Sequence, residues 1–100
     1  MMANRMVVGV VLFDQFELLD VFGPLEMFGL LPDCFEIRLL ADTATTVQSA
    51  QGPVSVIDAS LQPAEAIDIV MVPGGIGTRY VIKDSNFLDK LNNCHARPVT

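Results

Sequence analysis

Residues 6–13, MVVGVVLF, contain no polar position and no alternation. A continuous β-branched run of this kind predicts a strand covered on both faces, as in a parallel sheet flanked by helices. After Asp14 and Gln15 the period changes. Phe16, Leu19, Phe22, Leu25 and residues 27–30 recur at helical spacing. They predict a mostly apolar, and therefore mostly packed, helix that ends at Leu31, Pro32 and Asp33. Residues 35–41, FEIRLLA, predict a second strand with Glu36 and Arg38 on one face. The intervening stretch is long enough for a right-handed β-α-β crossover.

Residues 42–51 are polar and rich in Thr, Ser and Ala, Gly52 and Pro53 mark a turn, and residues 54–57 are briefly apolar. This pattern predicts a small hairpin or excursion. Residues 61–66 fit one helical turn, and residues 67–72, IDIVMV, a third buried strand that runs straight into Pro73-Gly74-Gly75-Ile76-Gly77. A last helix is expected over residues 85–96, with Phe87, Leu88 and Leu91 as its apolar stripe, and Pro98 opens a further strand. The order of elements predicts an α/β fold with a parallel sheet. Three apolar parallel strands need covered edges. The expectation is therefore that residues 1–100 form the front part of a larger domain.

Composition narrows the function classes. Hydrophobic residues make up 51% and charged residues 18% of the 100 residues, the reverse of a disordered chain. Six Lys and Arg against twelve Asp and Glu give a net charge of −6, and the basic residues are scattered. Binding of nucleic acid by this segment is excluded on that ground. The apolar run at 6–13 is too short to span a membrane, and no small-residue cleavage site follows it. Cys34 and Cys94 make neither a disulfide framework nor a zinc spacing, which points to a reducing cytoplasm and to no metal or cofactor.

Two segments are candidates for chemistry. In open α/β sheets, ligands bind at the carboxyl ends of strands, where the glycine turn falls. Gly74 and Gly75 suit an anion nest or oxyanion hole, and equally a plain tight turn. The turn is neither a dinucleotide fingerprint nor a P-loop. Asp20 stands in the first helical turns of an apolar helix, close to the same sheet edge. Pro24 leaves the Asp20 carbonyl without its usual N–H partner. Asp20 is read either as a functional carboxylate or as a first-turn dipole partner, with Glu17 the better plain cap. Arg79, directly after the turn, suits orienting an anionic substrate or pairing with a carboxylate. Cys34, Cys94 and His95 are expected at the opposite edge, in structural roles.

Residues 8–13, then Leu19-Asp20-x-x-Gly23-Pro24-x-Glu26-x-Phe28, then residues 72–79 (VPGGIGTR) with Phe87-Leu88, resemble the DJ-1/PfpI superfamily. The likeness is greatest to the branch of isonitrile hydratases and the sensor domains of some AraC-type regulators. The resemblance implies a flavodoxin-like three-layer fold, present here as its N-terminal half, and a homodimer in the full-length form. It implies an acidic helix residue, here Asp20, touching a cysteine on a strand-to-helix elbow. Gly74, Gly75 and Ile76 would supply oxyanion and substrate-binding backbone, with Arg79 beside them. The elbow cysteine would follow Thr100, so the chain as given is expected to be inactive. The parent would be a cysteine-dependent hydratase or hydrolase of a small electrophile such as an isonitrile. The alternative is the ligand-sensing domain of an AraC-type regulator; a protective or chaperone-like role also occurs in the superfamily.

Overall fold

The structure, a computed structural model, describes residues 5–61 and 67–94, without the side chains of 92–94. The elements are β1 (Met6–Val11), α1 (Leu18–Gly29), β2 (Phe35–Ala41), β3 (Thr46–Gln48), β4 (Val54–Val56), β5 (Ala59–Ser60), β6 (Ile69–Met71), α2 (Thr78–Val81) and α3 (Ser85–Cys94). Four strands form one parallel sheet in the order β5-β2-β1-β6. β3 and β4 form a separate antiparallel hairpin. The α/β expectation holds, with the flavodoxin-like order around β1.

β1 is central because it can be. Val8, Val10 and Val11 are wholly buried, and each removes about 1.5–3 kcal/mol worth of apolar surface from water. Gly9 between them lets Ile67 and Leu40 close over the strand. Ladder bonds at the strand entries are replaced by two aspartates acting alike. Asp68 donates its N–H to the Val7 carbonyl and accepts the Val7 N–H on its carboxylate at 2.8 Å. Asp58 treats Leu39 in the same way, accepting its N–H at 2.7 Å.

Several boundaries differ from the sequence expectation. β1 ends at Val11, not at residue 13, although Leu12 and Phe13 stay buried. The chain leaves the ladder there to enter a loop in which Gln15 takes φ +69°. β6 begins at Ile69 because Asp68 acts through its side chain. β5 and α2 were not expected; two and four residues are too few for a periodic signal. α1 starts at Leu18 and runs unbroken across Pro24. It is not mostly packed: only Val21 is buried, while Leu19, Met27 and Leu30 are over two-thirds exposed. One sheet face covers one side of a helix, and α1 is apolar on more than one. The helical turn expected over 61–66 and the features at 95–100, His95 and Pro98 included, lie outside the described residues.

α3 docks through Phe87, 4% exposed, whose ring meets Phe13 edge to face with centroids 6.3 Å apart. Lys90 pairs with Asp42 at the carboxyl end of β2. Among the described residues no helix is long and apolar enough to cross a membrane. Replacing Phe87 by Ala should cost about 3–4 kcal/mol of stability. Leu88→Ala on the same helix, at a 40% exposed position, should cost less than about 1 kcal/mol. Urea unfolding midpoints check the contrast.

Candidate functional site

From β1 the chain crosses to β2 on one side and later returns to lay β6 on the other. The carboxyl ends of β1 and β6 therefore mark the switch point of an open sheet, where ligands commonly bind. Two connections meet there. One is the loop of residues 14–17 between β1 and α1. The other is the glycine turn of residues 73–77 that follows β6.

The two connections are fastened backbone to backbone. The Glu17 N–H donates to the Gly74 carbonyl at 2.9 Å, and the Gly77 N–H to the Gln15 carbonyl at 3.1 Å. The approach is so close that side chains are excluded. A Cβ on Gly75 would lie 2.6 Å from the Glu17 nitrogen and 2.7 Å from the Gln15 oxygen. One on Gly77 would lie 2.0 Å from the Asp14 oxygen. Gly75 also holds φ +123°, a conformation that side chains oppose.

The hairpin excursion grips the same loop from its other side. The Gln15 N–H donates to the Gln48 carbonyl at 2.8 Å, and the Ala50 N–H to the Phe16 carbonyl at 2.8 Å. The Gln48 N–H donates to Asp14 Oδ1 at 3.3 Å. Phe16, wholly buried, pins the loop from beneath. These bonds hold Gln15 in its left-handed conformation, which costs a non-glycine residue about 1 kcal/mol or more.

Asp20 lies in the first turn of α1, and its Oδ2 accepts the Gly74 N–H at 3.1 Å. The carboxylate is exposed rather than buried among the described residues. Next in sequence, the Gly75 and Ile76 N–H groups donate to no acceptor among the described residues. The Gly75 carbonyl turns the other way and accepts from the Thr78 N–H at 3.1 Å and its hydroxyl at 2.8 Å. A hydrogen-bonding carboxylate and two amides without an acceptor among the described residues thus lie on adjoining segments. Ile76 is 51% exposed, and Arg79 is exposed one turn further on.

The structure joins Asp20 to Gly74 directly, with Gly75 and Ile76 next in the same turn, while Arg79 is placed only as an exposed residue of α2. Cys34 is exposed and just precedes β2, where its carbonyl accepts the Met6 N–H, so it sits at the amino edge. Cys94 closes α3, and its side chain lies outside the described residues. Among the described residues no group of three or more His, Cys, Asp or Glu could hold a metal ion.

Glu17 occupies the N-cap position of α1 but makes no capping bond. The cap comes instead from Gln51, whose Oε1 accepts the Leu18 N–H at 3.0 Å. Gln51 Nε2 also donates to Glu17 Oε1 at 3.2 Å. Sequence reasoning missed Gln51 because it is 33 residues away from Leu18. No local pattern marks a cap that arrives from another element.

No family model matches the chain. The chain is 30% identical over 95 residues to isonitrile hydratase of Pseudomonas putida, covering 93% of this chain and 41% of that protein. Among solved structures it is similar to a ThiJ/PfpI family protein from Pseudomonas syringae at TM-score 0.81 and 25% identity, covering 93% of this chain and 39% of that one. The C103A form of a DJ-1 superfamily protein from Salmonella typhimurium has the same fold at TM-score 0.79 and 21% identity, with 90% of this chain and 50% of that one covered. The chain thus spans about two-fifths of the length of the curated relative it matches.

Gly77→Ala should lower stability by about 3 kcal/mol or more, because the clash is with backbone that cannot turn aside. Gly23→Ala in α1, where the added carbon makes only an ordinary 3.5 Å contact to Leu19, should change it by less than about 1 kcal/mol. Chemical denaturation of the two variants measures both.

Proposed function

From the premise that this chain belongs to the DJ-1/PfpI superfamily, we propose that it carries the carboxylate and amide side of a hydratase site. The reaction is cysteine-dependent hydration of a small electrophile such as an isonitrile. The observation that supports this best is the Asp20 Oδ2 to Gly74 N–H bond, beside the Gly75 and Ile76 amides that donate to no acceptor among the described residues. The relative's name supplies the substrate class.

The sulfur belongs, on this reading, to a further segment of a longer protein, placed on an elbow after the next strand. Cys34, at the amino edge, is on the wrong side to serve. Asp20 carries the proton from the thiol to the terminal carbon of R–NC as the C–S bond forms, which gives R–N=CH–S. Water adds to that carbon, and the charge that develops there faces the Gly75 and Ile76 N–H groups. One water proton passes to the nitrogen as water adds; the C–S bond then breaks, and the remaining hydroxyl proton passes through Asp20 to the leaving thiolate. The sum is R–NC + H2O → R–NH–CHO, with nothing oxidised or reduced. Exposed Arg79 suits a substrate with an anionic group. The same reading takes the longer protein as a homodimer working in the cytoplasm. The ligand-sensing alternative needs a DNA-binding region outside these 100 residues, and no described residue selects it.

The 100-residue chain alone should turn over no isonitrile. In the longer protein, Asp20→Ala should lower kcat/KM for an isonitrile by about 10²–10⁴-fold, the usual range for loss of a proton-transfer group. Formamide formation followed by chromatography measures it; unchanged turnover in that variant overturns the assignment.

A further inference from the structure

We infer that Gln51 is a positioning residue for the Asp20–Gly74 contact and acts through the N-terminus of α1. This rests on the reading of Asp20 given above, but it goes beyond it to a residue on the hairpin excursion, outside both segments that form the rim.

α1 begins without a cap of its own. Glu17 stands at the N-cap with extended backbone and no side-chain bond to the helix, and uncapped first-turn N–H groups leave a helix end free to fray. Gln51 makes good the deficit with both ends of its amide. Its Oε1 takes the Leu18 N–H, and its Nε2 holds the Glu17 carboxylate. The same two-residue stretch is tied to the glycine turn, since the Glu17 N–H donates to the Gly74 carbonyl. Three residues on, Asp20 takes the N–H of that same Gly74. Gly74 is therefore held by its carbonyl and by its N–H from one helical turn, and Gln51 is what fixes that turn. If the turn frays, the Asp20 carboxylate loses its place on the Gly74 N–H. Gln51 itself is held close by, through the Ala50 N–H bond to the Phe16 carbonyl. The excursion thus reaches the rim through a side chain as well as through backbone.

The test is amide NMR on the 100-residue chain. Gln51→Met keeps the length of the side chain and removes both hydrogen bonds. It should speed hydrogen exchange at Leu18 by about five-fold, the effect of losing one helix cap. It should also move the Gly74 amide proton resonance most of the way to its position in Asp20→Ala, while the β1 and β2 amides stay unchanged. The reciprocal exchange, Gln51→Glu with Glu17→Gln, keeps an acceptor facing Leu18 and a donor–acceptor pair between the two side chains; it should return both signals. Should Gln51→Met fail to fold, Gln51→Ala, which also removes both hydrogen bonds, is read at Leu18 and Gly74 in the same way. A Gly74 resonance that ignores these changes while Leu18 responds overturns the inference and leaves only a local cap. Because the readout is a hydrogen bond and not turnover, its failure is distinct from a failure of the hydratase reading.

Discussion

The clasp between the loop of residues 14–17 and the turn of residues 73–77 is the constraint from which the rest of this molecule's functional geometry follows. Two adjacent parallel strands end at the same level, and their outgoing connections are drawn together until backbone touches backbone. Glycine at 75 and 77 is what permits that approach. Once the two connections are fastened, the first turn of α1 lies beside the glycine turn, with its start capped by Gln51. The carboxylate of Asp20 then reaches Gly74.

The clasp depends on the hairpin, which at first sight is an ornament on the sheet. The hairpin's backbone bonds to Gln15 and Phe16 hold the loop in a conformation that Gln15 alone would not adopt. Buried Phe16 and the covered valines of β1 give the loop a rigid base. The clasp is thus set by packing below and by hydrogen bonds on either flank. Such support suits a site that must keep donors oriented before charge develops.

The sequence made the layout legible where periodicity is strong and where glycine clusters. The β-branched run at 6–13, the strand at 35–41 and the turn at 73–77 each announced an element and an edge. The shared rim of Asp20 and Gly74 was also readable, because parallel strands joined through a helix send every outgoing connection to one side. What stayed hidden was tertiary. The left-handed Gln15 is imposed by contacts from residues 48 and 77. The cap on α1 comes from Gln51, not from Glu17. The open outer face of α1 ran against the packing expected of an apolar helix, because an apolar pattern states what a helix is able to bury and not what is there to cover it.

The functional geometry rests on the bond between the Asp20 carboxylate and the Gly74 amide on the carboxyl rim. A trans-hydrogen-bond scalar coupling between the Gly74 amide nitrogen and the Asp20 carboxyl carbon tests it most directly. A measurable coupling is expected in the folded chain, and it disappears when Asp20 is replaced by Ala. A folded chain with no such coupling, and a Gly74 amide bonded elsewhere, would contradict it.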